Sequence, residues 1–292
     1  MHAALVAAVA RGGAAAEAAA ASVWLVANAS GPLPLAVEDG LRAAFPAADV
    51  LPSYGSTECM PISSPAVGGR GGAAAPAPRG SSGRACGPHL AALHPATHEV
   101  LPPGVTGVLA VRGPPVFDGY LGDGGVGGGP PSRHLLPGGW LDTGDLGHLD
   151  AGGFVFVTGR AKEVINRGGE TLAPADVEDA LLALLAPPHP DAGAPAPLFE
   201  AALAFAAPHE ELGDGVAVAV VLASSDDASP PPGYTALCEA LSAAALPPSK
   251  WPHTVVVVRS LPRSAAGKLV RAGQELGKHF AHTISTRSTL SL

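Results

Sequence analysis

Between Trp140 and Glu178, fewer than forty residues hold an acidic turn (Asp142-Thr143-Gly144-Asp145), a short apolar strand (Phe154–Val157), a basic elbow (Gly159-Arg160-Ala161-Lys162), a Gly168-Gly169 loop and a helix start. A segment that only completes a core has little use for a charge at each of those turns, because every charge taken out of water needs a partner. The rest of the chain is read around this stretch.

Upstream, residues 2–21 are Ala-rich and helical in propensity, with an interruption at Gly12-Gly13. A short buried strand is predicted over Val23–Ala27, ending in the turn Ser30-Gly31-Pro32, and a helix from Pro34 to Phe45. There Leu35, Leu41 and Phe45 are the apolar positions, and Glu38-Asp39 lie early, where the helix dipole favours acid. A turn-rich segment runs from Leu51 to Glu58. Strand, turn, helix and strand make the rhythm of an α/β layer. Residues 66–83 are low-complexity Ala, Gly, Pro and Ser, read as a disordered surface insertion. From Gly83 to Tyr120 short strands alternate with turns, Val108–Arg112 among them, as in a small barrel or meander.

Downstream of Lys162 a compact α+β unit is predicted. Pro174 sits near a first helical position, Asp176, Glu178 and Asp179 crowd the first turns, and Val177, Ala180, Leu181, Leu184 and Leu185 recur at helical spacing before Pro187-Pro188. Strands are expected at Ala202–Ala206, Val216–Leu222 and Val255–Val258, a helix near Tyr234–Ala245, and a frayed Ser/Thr-rich tail after Phe280.

Composition narrows the functional classes. A net charge of −8 argues against a nucleic-acid surface. No apolar run approaches the roughly 18 residues of a membrane span. Three cysteines without CxxC spacing argue against a disulfide framework and for a reducing, cytoplasmic setting; an organelle-targeting reading of the Ala-rich N-terminus is weakened by its single Arg. Hydrophobic content is 47%, but aromatics are only 4%, so alanine carries part of the apolar fraction and buries little area per residue. His89, His94 and His98 lie in a Pro-broken segment without a further ligand at zinc spacing. Gly122-x-Gly124-x-x-Gly127 matches a dinucleotide fingerprint literally, yet no strand precedes it and prolines follow. Ser63-Ser64 beside Cys59 lacks a GxSxG context and an evident base.

Five motifs occur in a consistent order: Ser30-Gly31-Pro32-Leu33-Pro34-Leu35; Tyr54-Gly55-Ser56-Thr57-Glu58; Thr143-Gly144-Asp145; Gly159-Arg160-Ala161-Lys162; and Pro262 through Gly267-Lys268 to Arg271. Together they resemble the adenylate-forming (AMP-binding) superfamily of acyl-CoA synthetases, luciferases and peptide-synthetase adenylation domains, over about Ser22 to Arg271. The resemblance implies an α/β and α+β architecture. Residues 1–161 are expected to be a partial large domain (1–65 an α/β remnant, 66–83 the insertion, 84–161 a β-rich subdomain), and 162–292 a mobile C-terminal domain.

The chemistry the family performs joins two anions, a carboxylate and the α-phosphate of ATP, and needs a metal carboxylate, phosphate donors, a cation at the reacting oxygens and an acid for the ribose diol. By the resemblance, Gly31 and Gly55 bring backbone against the nucleotide, Tyr54 lines the adenine slot, Thr57 donates to the α-phosphate and Glu58 helps hold Mg²⁺. Asp145 accepts from the ribose hydroxyls, and Arg160 reaches ribose or phosphate. Lys162 is the hinge, Gly168-Gly169 approach the channel for coenzyme A, and Lys268 bridges the carboxylate and α-phosphate. Gly267-Lys268 is not a P-loop, since the upstream Gly is missing and Leu269 stands in place of Ser/Thr. Asp142 is read as a turn cap, and Arg271 as an anchor of its loop.

The likeness also has gaps. The family's Ser/Thr/Gly-rich phosphate loop ending in Lys is not found in this sequence, and Gly107-Val108-Leu109 stands where GEL is common. The expectation is ATP-dependent acyl-CoA ligation in a truncated form, weak or inactive alone; ordinary pyrophosphate exchange by the 292-residue chain would contradict that expectation. The alternatives are a non-catalytic partner or regulatory fragment, which either pairs with a chain supplying the missing half or simply binds nucleotide, and an adenylation unit feeding a carrier protein. The acid itself stays open among long-chain, aromatic and dicarboxylic types.

Overall fold

The computed structural model describes residues 2–29, 31, 33–68, 77–120, 135–183, 199–222, 242, 246–265, 269–271 and 284–291. The chain divides into two compact units, Met1–Ala161 and Lys162–Leu292.

The first unit opens with helices α1 (His2–Arg11) and α2 (Gly13–Ala21), which break where glycine takes over, as the sequence predicts. Strand β1 (Leu25–Asn28), helix α3 (Leu35–Ala44) and strand β2 (Asp49–Pro52) form a parallel crossover in which Val26 faces Val50. Leu41 and Phe45 close its core with Ala20, Val26 and Val50. The segment expected to be turn-rich as far as Glu58 contains strand: β2 and then β3 (Tyr54–Ser56), so only Thr57-Glu58 turn, leading into β4 (Cys59–Ser64) and β5 (Arg84–Ala85). An antiparallel sheet follows in the order β10-β9-β7-β6, built from β6 (His89–Leu93), β7 (Gly107–Arg112), β9 (Trp140–Leu149) and β10 (Val155–Arg160), with β8 (Leu135–Leu136) on β9.

Residues 77–83 correct the expectation of a disordered insertion. Arg79 pairs with Asp39 at 2.8 Å, Gly80 N–H donates to Glu38, and Ser81 is buried, with its hydroxyl donating to the Val155 carbonyl at 3.0 Å. Ser82 and Val155 N–H groups then exchange backbone bonds with Val155 and Gly83 carbonyls. The segment is a strap from α3 to β10, and its polarity is satisfied by partners far away in sequence. The low-complexity run at 69–76 and the Gly122–Gly127 match lie outside the described residues.

In the second unit, β11 (Ile165–Arg167) and β12 (Glu170–Leu172) form a hairpin, α4 (Pro174–Ala183) follows, and β13 (Phe199–His209), β14 (Gly213–Leu222), β15 (Thr254–Val258) and β16 (Ile284–Ser291) complete a mixed sheet. Alternation sorts the residues cleanly: Val216, Val218 and Val220 pack with Val177 and Leu181 of α4, while Ala217 and Ala219 join Leu203, Phe205 and Val256 on the other face. Burial on both faces explains why β14 reads as an unbroken apolar run. Leu184, Leu185 and the helix expected near Tyr234–Ala245 fall outside the described residues, Ser242 apart. Over Ile284–Ser291 the tail expected to fray is a strand. Residues 284–291 pair antiparallel with β15, whose backbone donors and acceptors would otherwise line an open edge.

The glycines of the β11–β12 hairpin have a local cause. Arg167 pairs with Glu170, so Gly168-Gly169 form a two-residue loop with φ +57° and +88°, the left-handed pair that a type I′ turn requires. Nothing lies within 4 Å of a Cβ added at Gly169. Gly169→Ala is therefore expected to lower stability by about 1–2 kcal/mol from backbone strain alone. An unchanged urea midpoint would contradict that account.

Candidate nucleotide site

The segment Asp142–Asp145 is not a turn but a kinked part of β9. Pairing between β7 and β9 slips between Val108↔Leu146 and Ala110↔Asp142, which marks a bulge. Its parts are specific: Gly144 takes φ +72°, its N–H donates to Asp142 Oδ1 at 2.7 Å, and Thr143 Oγ1 donates to the Leu109 carbonyl at 2.7 Å while accepting the Asp145 N–H at 3.2 Å. Asp142 thus caps backbone, as expected of it. The bulge turns Asp145 inward, and the Gly144 carbonyl accepts the Ala161 N–H, pinning the end of β10 where Arg160 faces Asp145 in register.

Asp145 is 5% exposed. Its Oδ2 accepts the Tyr54 hydroxyl at 2.8 Å, and its Oδ1 lies 3.0 Å from Arg160 Nε. Burial, then the Asp145 charge, pushes the Tyr54 phenol far above its ordinary range, so it serves as a fixed donor. Arg160 is mostly exposed, and its guanidinium carries five N–H donors in all.

Glu58 sits in the β3–β4 turn. A hydrogen bond from the Tyr120 hydroxyl is the main reason its carboxyl lies below the usual range; burial opposes this, and its own backbone N–H, Ser56 and the Arg160 charge add to it. Glu58 is thereby held ionised within the field of the same arginine that pairs with Asp145. Thr57 is exposed beside it, and Gly55 lies within β3. Gly31 is exposed, with its carbonyl accepting Asn28 Nδ2 at 2.9 Å.

The structure therefore brings Tyr54, Glu58, Asp145 and Arg160 together in the first unit. Lys162 (exposed) and Gly168-Gly169 belong to the second unit, and Ser30, Pro32 and Lys268 lie outside the described residues. The ends of the Lys268 loop are placed: Arg263 bridges Leu269, Val270 N–H donates to the Pro262 carbonyl, and Arg271 forks onto Glu178 at 2.7 and 3.1 Å and reaches Glu163 at 3.0 Å. The sequence gives Tyr120 no motif, and Thr143 a place in one but no role. The sequence carries no periodic signal for either, and Tyr120 stands immediately before a Gly/Pro tract. His94 Nδ1 accepts the N–H groups of Ala96 and Thr97, which is a turn role.

The profile of the AMP-binding enzyme family matches residues 1–121. A 4-coumarate–CoA ligase-like protein from Arabidopsis thaliana is 32% identical over 269 residues, which are 88% of this chain and 41% of that relative. The chain is similar to the AMP-binding enzyme family. Among solved structures, ATP-bound MatB from Rhodopseudomonas palustris is 27% identical with a TM-score of 0.66, over 84% of this chain and 43% of that one. The o-succinylbenzoate CoA synthetase of Bacillus subtilis, in complex with its acyl-adenylate intermediate, is 27% identical with a TM-score of 0.65, over 85% of this chain and 45% of that one. The chain thus spans less than half the length of each of these three proteins, and it shares the strand-rich mixed fold of adenylate-forming enzymes.

Proposed function

We propose that this chain activates a carboxylic acid with ATP through an acyl-adenylate and passes the acyl group to the thiol of coenzyme A. The observation that carries the reading is the buried Asp145 carboxylate, gripped by Tyr54 and Arg160 with ionised Glu58 in the same field. In the first half-reaction a substrate carboxylate oxygen bonds to the α-phosphorus as the bond to pyrophosphate breaks; in the second, the thiol sulfur bonds to the acyl carbon and AMP leaves.

Each residue has work suited to its surroundings. Asp145 is a buried carboxylate, and each of its oxygens can accept more than one hydrogen bond, which suits it to a ribose diol. Arg160 offers its remaining N–H groups to ribose or phosphate. Tyr54 flanks the adenine, with Gly31 and Gly55 as close backbone, and Thr57, exposed at the turn, donates to the α-phosphate. Glu58 fits a magnesium ion, which takes one or two carboxylates together with phosphate oxygens, and the ion would neutralise phosphate charge. Lys162 acts as the hinge, Lys268 supplies the cation at the reacting oxygens, and Gly168-Gly169 border the path of the thiol. Relatives named oxalate–, indoleacetate– and medium-chain fatty-acid–CoA ligase favour coenzyme A as acceptor.

The test is binding of an acyl-sulfamoyl-adenosine, a stable mimic of the intermediate, measured by titration calorimetry; a chain that takes up no such mimic overturns the reading. Lys268→Ala is expected to lower whatever carboxylate-dependent pyrophosphate exchange the chain supports by roughly a hundredfold. Thioester formation from supplied acyl-adenylate should be spared, and equal loss of both steps would remove Lys268 from its role.

A further inference from the structure

The segment after β7 is fastened to the Glu58 turn at three levels. Val116 bridges Cys59, the Phe117 N–H donates to the Glu58 carbonyl at 2.8 Å, and the Tyr120 hydroxyl donates to Glu58 Oε1. The Tyr120 ring is itself braced edge-on against Phe117, with centroids 4.8 Å apart and planes at 73°. Backbone and side chain of one glutamate are thus gripped by a single short segment. A loop that merely packed on the turn would need only the backbone bonds. The phenol adds something they cannot, because it fixes the rotation of the carboxylate about its last bond and occupies one oxygen from one side.

We propose that Tyr120 is a positioning residue that orients the Glu58 carboxylate toward a divalent cation. The inference rests on the reading of Glu58 as the metal carboxylate and extends it to a residue to which no role has been given above. Carboxylates that bind metals are themselves held by hydrogen bonds, and removing such a partner costs about 10- to 100-fold in metal affinity. Tyr120 is 40% exposed, so replacing it with Phe deletes one oxygen, keeps the ring against Phe117 and disturbs little packing.

Mn²⁺ is titrated into the 292-residue chain with ATP present and followed by its paramagnetic resonance signal; ATP binding in EDTA and the thermal midpoint are measured in parallel. Tyr120→Phe is expected to raise the Mn²⁺ dissociation constant roughly 10- to 100-fold while metal-free nucleotide affinity and the midpoint hold. A constant within about twofold of wild type overturns the proposal, and so does an equal weakening with and without metal, since a structural role moves both. Glu58→Gln separates the two ideas. If it weakens Mn²⁺ and Tyr120→Phe does not, only the Tyr120 proposal fails; if it leaves Mn²⁺ binding intact, or if the wild-type chain takes up no Mn²⁺ with ATP, the Glu58 assignment fails and Tyr120 falls with it.

Discussion

Arg271→Ala is expected to destabilise the second unit by about 3–5 kcal/mol, the cost of breaking a buried ion pair from one side. Burial works against the guanidinium charge, and its bonds to Glu178 and then Glu163 more than offset this, holding it above its ordinary value. Its side chain is 15% exposed and that of Glu178 11%. Removing the arginine leaves the Glu178 carboxylate in the core with, among the described residues, the Ala204 N–H at 2.8 Å to support it. The penalty thus comes from the orphaned charge more than from the lost attraction. Arg271→Met combined with Glu178→Met should therefore recover much of the loss, because the double change removes both charges. Urea unfolding of wild type, Arg271→Met, Glu178→Met and the double variant supplies the cycle. A single-mutant cost below about 1 kcal/mol would place the pair among exposed ion pairs and refute the burial argument. The same arginine closes the loop that begins at Pro262, so its loss should also loosen the segment carrying Lys268.

How much of this was legible beforehand depends on where each signal resides. Helix α4 and strands β13, β14 and β15 declare themselves, because Pro174, the spacing of Val177 and Leu181 and the apolar runs are local facts. The strap at 77–83 was not legible: Ala, Gly, Pro and Ser read as solvated chain, and only Val155 and Glu38, distant in sequence, reveal that Ser81 is buried. The kink in β9 was misread as a turn for a related reason. Asp, Thr and Gly are turn formers, but here their side chains bond the backbone of β9 and β7 and bend a strand that continues to Leu149. Strand β16 was hidden because a Ser/Thr-rich terminus looks unstructured until the free edge of β15 is known. The grouping of Tyr54, Glu58, Asp145 and Arg160 is what the family resemblance implies, a long-range expectation that periodicity cannot supply. Tyr120 belonged to no motif read from the sequence.

The bulge matters most at Asp145. Without Gly144 in the left-handed region, the strand would continue in plain register, and the bonds that turn Asp145 toward Tyr54 would not form. Asp145→Asn keeps the shape and removes the charge, so it isolates what the carboxylate contributes. If Asp145 takes both ribose hydroxyls, each charge-assisted bond contributes about 1.5–3 kcal/mol, and the mutant should bind ATP roughly 10²- to 10⁴-fold more weakly. Part of any such loss could come from disturbing Tyr54 and Arg160, which the ligand itself can resolve. Wild type should discriminate against 2′,3′-dideoxy-ATP by a similar factor, because that analogue lacks both hydroxyls, and Asp145→Asn should bind ATP and the dideoxy form nearly alike. Discrimination that survives in the mutant would assign the diol to another group. Wild-type indifference to the missing hydroxyls would leave Asp145 as an internal strut for Arg160, with no hand on the nucleotide.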